Sequence, residues 1–483
     1  MKYSFLNRLG IAAACFLLSF SPFISFGQTD TTGQLTLQQC VDIALRNNLD
    51  LKQTEITAAG TALDYKQAKN NLLPFFSGNV EHGLNQGRSI DPFSNTYLNQ
   101  NINYANWGLN GGILIFNGLS ALNNVKQQRL ARDAGNMDVQ QNKDLLTLNV
   151  IVAYLQVLTA EDLLVQISNQ AELSRNQVAR LTILNNEGSV TPSQLFDLKG
   201  QLANDEVSLI NTKNQLDAAK LTLSQLMNQP YDGSMHLERI SPEQFLTAYP
   251  AKPDSIYAVA LNTLAQVKAV KLRKESAEIG VKTWRGQYWP SLSLNGGLYT
   301  NYSSAATTAN LISTVEQTNG DWVNIGTTKE PVYTTVNNYD NVKIGYGDQF
   351  RNNYSTNVNL SLRIPILNSF TTRNRVARAK LDLQNASVVE SSTRIRLQQL
   401  VEQAYFNMTA TFNRYNTLLQ QVDAFGESFR VTETRFNEGV LNSVDYLVAK
   451  NNLDRANTNL IQAKYEYVFR TKILDYYQGK PLW

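Results

Sequence analysis

The chain is written twice, and this restricts its fold more than any other feature of its 483 residues. Displaced by 216 positions, Ala44-Leu45 falls on Ala260-Leu261, Lys52 on Lys268 and Leu73-Pro74 on Trp289-Pro290. Displaced by 251, Leu109 falls on Leu360, Ile113 on Ile364, Tyr154 on Tyr405, Glu187-Gly188 on Glu438-Gly439, Lys199 on Lys450 and Pro230 on Pro481. The displacements differ by 35, so the second half carries an insertion of that size between about 300 and 350. Its Asn, Thr, Tyr and Gly content reads as an exposed loop. Such self-similarity must be recognised before any element is assigned.

Each half predicts a helix, two strands flanking a loop, a very long helix and a second long helix. The helices are expected near 36–72, 119–186 and 192–228, and near 254–287, 370–437 and 443–478. A helix over 119–186 would be about 100 Å long at ~1.5 Å per residue, and needs partners along its whole length. The partner face repeats every seven residues: Leu195, Leu202, Leu209, Leu216 and Leu223, with Tyr446, Leu453, Leu460, Tyr467 and Leu474 as counterparts. Ala449, Ala456 and Ala463 form a second stripe, so the seam has the spacing of coiled-coil packing. Gly188 can end one long helix, with Thr191 to cap the next and Pro192 in its first turn; Gly439 and Asn442 are the matching stop and cap. Each half therefore closes in a helical hairpin, with tips at Glu187-Gly188 and Glu438-Gly439.

The strands alternate with period two. Val358, Leu360, Leu362, Ile364 and Ile366 interleave with Asn357, Asn359, Ser361, Arg363 and Pro365. Trp107, Leu109, Gly111, Ile113 and Ile115 make the matching face in the first half; Leu292, Leu294 and Leu298 do so in the third strand. The first strand, from Phe75 to Leu84, alternates less regularly. Only four strands exist, and nothing else in the chain supplies a second sheet to cover the aliphatic face. A bilayer would cover it, with the polar face turned to water. Closed single-chain barrels start at about eight strands, so four must be completed by other subunits.

Charge narrows the functional classes. Lys and Arg (43) nearly balance Asp and Glu (40) and charged residues are 17% of the chain, so composition gives no basic field to hold nucleic acid or acidic lipid. Lys2 and Arg8, the apolar run Leu9 to Phe26, and Ser25 and Gly27 before Gln28 read as a signal peptide over 1–27. A lipoprotein signal ending at Cys15 is the alternative, but the apolar run continues past that residue. Its removal would lower the net charge from +3 to +1, since it holds two cations and no acid. It would also leave Cys40 as the lone cysteine. With only His82 and His236, no metal site is expected; phosphate loop and nucleophile elbow are also missing, so no cofactor and no enzyme activity are expected. The remainder lacks an uninterrupted run of 18 apolar residues, so a transmembrane helix is not expected. The chain divides into 1–27, a first repeat over 28–230, a linker over 231–253 and a second repeat over 254–483.

Over essentially all of the mature chain these residues resemble the TolC family of outer-membrane factors. The resemblance rests on the tandem halves, on Leu-Pro and Trp-Pro at 73–74 and 289–290, on Phe-Asn-Gly at 116–118, and on Arg435-Phe-Asn-Glu-Gly439 followed by Asp445. It implies a mainly α protomer with a small β part: four transmembrane strands and long coiled-coil helices. As a homotrimer these complete a twelve-stranded β-barrel in the outer membrane and a twelve-helix α-barrel reaching into the periplasm. It further implies a periplasmic adaptor, an inner-membrane transporter, contact with outer-membrane lipid, and export of small toxic solutes such as drugs. A duct of the same build serving a type I protein secretion system is an alternative; a soluble periplasmic coiled-coil scaffold is a third, of another class. The family's acidic rings at the periplasmic entrance map onto Asp445, while the second family position is Val448 here. Gln194 and Asp197 are in register with these two, so the entrance is expected to draw one carboxylate from each half. The tips Glu187, Gly188, Glu438 and Gly439 would face the adaptor. Trp107, Leu109, Ile113, Ile115, Leu292, Leu294, Leu360, Leu362, Ile364 and Ile366 would face lipid.

Overall fold

The computed structural model describes residues 34–90, 95–99, 101–240 and 247–481. The expected signal segment, 1–27, lies outside these residues, as does part of the expected linker. The first half runs α1 (Leu37–Asn47), α2 (Leu49–Asn70), β1 (Phe75–Asn85), β2 (Arg88–Ile90), β3 (Tyr97–Asn99), β4 (Ile102–Asn117), α3 (Ser120–Asn186) and α4 (Pro192–Leu226). The second runs α5 (Pro253–Thr263), α6 (Ala265–Gly286), β5 (Ser291–Ser303), β6 (Thr307–Ile325), β7 (Thr328–Lys343), α7 (Tyr346–Asn352), β8 (Ser355–Arg363), α8 (Thr371–Asn437) and α9 (Ser443–Tyr477).

The long helices α3 and α8 are both 67 residues, as the sequence predicts, and α4 and α9 are both 35. The shorter helices differ from expectation in the same way in both halves. Asn48 and Leu264 leave the helix with ψ of 123° and 131°, so each expected helix is two. Asn48 then caps α2 by accepting from the Leu51 N–H at 2.9 Å, and Thr36 with Gln39 forms a capping box on α1. At the hairpins Asn442 caps α9 by accepting from the Asp445 N–H at 2.9 Å. Thr191 holds the cap position of α4 without a side-chain cap bond, so Pro192 at the first turn is the sequence signal that matters there.

The heptad seam is inside. Leu195, Leu216, Leu223, Tyr446, Tyr467, Leu474, Ala456 and Ala463 are buried, and Leu202, Leu209, Ala449, Leu453 and Leu460 are half-buried. Tyr446 is packed between Phe429 and Phe436, with ring centroids at 5.6 and 4.6 Å. The largest core cluster joins α1, α2, α3, α4 and α9 around Val150, Ile151, Tyr154, Val157 and Leu158. This part of α3 is apolar and long enough to cross a bilayer, which a search for uninterrupted apolar runs misses. Its buried contacts with four other helices account for the composition.

The four main strands form one antiparallel sheet in the order β1-β4-β5-β8, leaving β1 and β8 as its edges. The expected loop near 300–350 is instead a long β-hairpin followed by a short helix. β6 and β7 pair antiparallel from Thr307↔Lys343 to Ile325↔Thr328. Gly326, at φ 68°, supplies the positive φ that the two-residue turn requires. Of the Asn, Thr, Tyr and Gly behind the loop expectation, Thr and Tyr are also strand formers, as is the Val between them. In the single chain it is exposed along almost its whole length, and it is regular strand where irregular structure is expected.

Candidate functional site

Residues opposite one another in an antiparallel pair share a face. The register Leu109↔Leu298, Ile113↔Leu294, Leu294↔Leu360 and Leu292↔Leu362 therefore gathers the aliphatic residues of three strands on one face. Phe76, Gly111, Gly296 and Val358 line up across all four strands on that face. Here the two glycines leave a concavity of about 400 Å³ walled by Phe76, Leu109, Ile113, Leu294, Leu298 and Val358. The Phe76 ring covers Gly111, where a Cβ would fall 2.6 Å from Cδ1. The opposite face carries Ser77, Asn79, Asn106, Asn110, Ser293, Asn295, Asn357 and Asn359. Val358 is 79% exposed and Leu360 63%, so among the described residues nothing covers the β8 part of the aliphatic face.

Three residues expected on that face are placed differently, and a fourth is partly covered. A register shift between Leu114 and Phe116 makes Ile115 the unpaired extra residue, and Phe116 takes its place opposite Leu292. β8 ends at Arg363, so Ile364 and Ile366 lie beyond it; both are exposed, and Pro365 between them has no N–H to continue a ladder. Trp107 is on the aliphatic face but packs edge-on against Tyr346 and Phe350 of α7, at 5.2 and 5.3 Å. Gln349 pins this helix from the buried side. Its amide nitrogen donates to the Ser303 and Ile344 carbonyls and its carbonyl accepts from the Ser303 N–H, each at 2.9 Å.

The other end of the protomer is the pair of hairpin tips. Gly188 and Gly439 have φ of 72° and 76°, the left-handed conformation that stops α3 and α8. Glu187 and Glu438 beside them are exposed. The Arg180 guanidinium donates to both the side chain and the backbone carbonyl of Asn437, tying the two tips together. Asp197 accepts from the Ser443 hydroxyl at 2.9 Å. It therefore lies against the first turn of α9, which also carries Asp445. Asp197, Asp445 and Val448 are exposed and Gln194 is half-buried. The dipole at the start of α9 favours both carboxylates.

One polar cluster between tips and sheet escapes sequence reasoning. Lys450 on α9 reaches Asp205 on α4 at 3.0 Å and Asp454 at 2.7 Å, with its side chain 1% exposed. Ser174 on α3 donates to Asp205 at 2.5 Å and Gln201 donates to its other oxygen at 2.7 Å. Burial raises the Asp454 carboxyl, against the lowering effect of Lys450. In sequence these residues look like ordinary charges flanking the seam. Only the packing of three helices makes them neighbours.

The fold is that of solved bacterial outer-membrane channels. The outer membrane protein VceC of Vibrio cholerae matches with a TM-score of 0.72 at 15% identity, over 92% of this chain and 94% of that one. The outer-membrane channel OprN gives 0.71 at 16%, over 92% and 90%. By sequence, the outer membrane protein TolC of Escherichia coli (strain K12) is 22% identical over 455 residues, 93% of this chain and 82% of that protein. The family model for outer membrane efflux protein matches residues 40–229 and 256–474, and the chain belongs to this family.

Proposed function

We propose that the chain is the outer-membrane exit duct of a tripartite efflux pump for small toxic molecules, working as a homotrimer with a periplasmic adaptor and an inner-membrane transporter. The observation that carries the reading is the sheet: one face aliphatic and uncovered, the other amide-lined, both edges unpaired, in a protomer whose remaining bulk is long paired helices. Three copies bring twelve strands, enough to close a barrel and remove every edge. From Trp107 to Phe116, strand geometry at a tilt of about 40° gives a rise of roughly 20 Å, close to the apolar band of an outer-membrane barrel. Aromatic residues lie at both limits, as in the girdles of such barrels. In this reading 1–27 directs export, 28–230 and 254–483 are the two repeats, and 231–253 links them outside the tunnel. The hairpin β6–β7 faces the cell exterior, while Asp197 and Asp445 form carboxylate rings at the periplasmic mouth that favour cations.

Mass measurement in detergent is the first test, with a trimer expected. A folded, monodisperse monomer would overturn the assembly. In planar bilayers a cation-selective pore is expected, and Asp445→Asn with Asp197→Asn should lower both its selectivity and its block by multivalent cations. Unchanged values would leave these acids as helix-terminal groups only. Loss of the gene should sensitise cells to small toxic compounds; secretion of a protein failing in its place would favour the type I duct.

A further inference from the structure

The antiparallel register puts four chain stretches at one end of the sheet. β1 begins and β4 ends there (Phe75↔Gly112), and β5 begins opposite the ends of β4 and β8 (Ser291↔Asn117 and Ser291↔Arg363). The adjoining segments 65–74, 118–130, 279–290 and 363–381 together hold eleven Lys and Arg, and the first carboxylates toward the helices are Asp64, Asp133, Glu278 and Asp382, which set the collar's helix-side limit. For the whole chain the ratio is 43 to 40, so this segregation is a property of one level of the fold. Among the described residues these cations lack carboxylate partners, apart from Arg129, which is 3.9 Å from Asp133. Several lie over aromatic rings instead. Lys69 lies over Tyr65 at 5.4 Å, Arg375 over Trp284 at 5.0 Å and Arg373 over Phe370 at 5.9 Å.

Helix dipoles do not explain the collar. They favour Lys69 and Arg285, near the C-terminal ends of α2 and α6, but disfavour Arg373 and Arg375 in the opening turns of α8. The exposed cations at the start of α8 meet no carboxylate among the described residues, which leaves them open to an anion from outside the chain. The collar adjoins the end of the aliphatic face, and Arg373 borders a concavity of about 210 Å³ whose other walls include Tyr288, Ile366, Leu367 and Phe370. A guanidinium above apolar and aromatic walls suits an amphiphile: a phosphate for the cation, the first methylenes of a chain for the walls.

We infer that this collar binds the anionic headgroups of phospholipids in the leaflet next to the helices, fixing how deep the barrel sits. The inference rests on the membrane reading above. An anionic lipid surface attracts each nearby Lys or Arg by about fivefold in affinity at low ionic strength, an effect that salt screens.

The probe is phosphatidylglycerol against phosphatidylcholine, titrated onto the delipidated full-length protein and read by native mass spectrometry. The wild type should retain phosphatidylglycerol at least about tenfold more strongly at low salt. The exposed set Lys282→Gln, Arg285→Gln, Arg373→Gln and Lys380→Gln should abolish that preference, while the charge-preserving set Lys282→Arg, Arg285→Lys, Arg373→Lys and Lys380→Arg should keep it. Equal retention of the two lipids by the wild type, or an unchanged preference in the glutamine variant, would overturn the inference. Displacement of the lipid by equimolar inorganic phosphate would overturn it too, revealing a general anion site. Flotation with vesicles separates the two levels. Insertion into vesicles with and without phosphatidylglycerol, together with equal lipid retention, removes the collar's role alone, whereas failure to insert into either removes the membrane reading and the collar with it.

Discussion

Replacing Lys450 by Met keeps the bulk of the side chain and removes one buried charge from a cluster of three. The ammonium lies 3.0 Å from Asp205 and 2.7 Å from Asp454, whose side chains are 8% and 18% exposed. At an effective dielectric of ~20 each contact is worth about 5 to 6 kcal/mol of Coulombic attraction, most of it cancelled by the cost of dehydrating the ions. Without the ammonium two carboxylates face each other with little water between them, and the expected loss is about 3 to 5 kcal/mol. The loss should depend on pH. Burial already raises the Asp454 carboxyl, with Lys450 opposing and Asp205 adding to the rise; removing Lys450 raises it further. A carboxyl raised on folding contributes stability at low pH that is lost as pH climbs through its folded value. The variant's deficit should therefore be larger at pH 8 than at pH 5. Urea unfolding at both pH values, followed by circular dichroism, measures this. Adding Asp205→Asn and Asp454→Asn should recover much of the deficit, which a mutant cycle would show as coupling. A deficit under about 1 kcal/mol at pH 8, or the same deficit at both, would refute the reasoning.

Gly118→Ala should cost about 3 kcal/mol or more, combining left-handed strain with overpacking, because φ is 65° and a Cβ would stand 2.1 Å from the Gly286 carbonyl oxygen. By contrast Gly60→Ala, inside α2 with open space around it, should stabilise by about 0.5 to 1 kcal/mol; folded yield and urea midpoints check both. Gln349→Ala should release α7 from the sheet, leaving the Ser303 N–H without its 2.9 Å acceptor, so hydrogen exchange at that amide should accelerate sharply while the long helices stay protected. Cys40 is fully buried and burial pushes its thiol up to about 12. At pH 8 it should resist maleimide in the folded protein and react after unfolding in urea.

The long helices, their hairpin turns and the four strands are legible because each rests on a local rule: a heptad, a glycine stop, a period of two. What was not legible depends on contacts between distant segments. The bulge at Ile115 answers to its partner strand, since Leu292 pairs with Phe116. The breaks at Asn48 and Leu264 sit between two residue runs that both suit helix, and they show only as a change in ψ. The 307–343 hairpin was hidden by composition, because Asn, Thr and Gly suggest a loop while the intervening Val and Tyr suit a strand. The covering of Trp107 by α7 joins residues over 200 positions apart.

The buried cluster shows how a duplicated chain avoids behaving as a symmetric one. At the 251 displacement Lys450 corresponds to Lys199, Asp454 to Ala203 and Asp205 to Ala456. Lys199 is exposed and lies 5.3 Å from the Phe196 ring. The aliphatic seam repeats in both halves and on its own would tolerate several packings of one hairpin on the other. A charge cluster present once has a single satisfied arrangement, in which α9 meets α4 and α3 at Ser174, Asp205 and Lys450. Any exchange or slip of the hairpins leaves those groups buried without partners, at a cost of several kcal/mol. The helices next to the hairpin tips break the same symmetry, with Asp445 opposite Gln194 in register and Asp197 opposite Val448. The seam is common to both hairpins, and the charge cluster that is not repeated decides which hairpin takes which place.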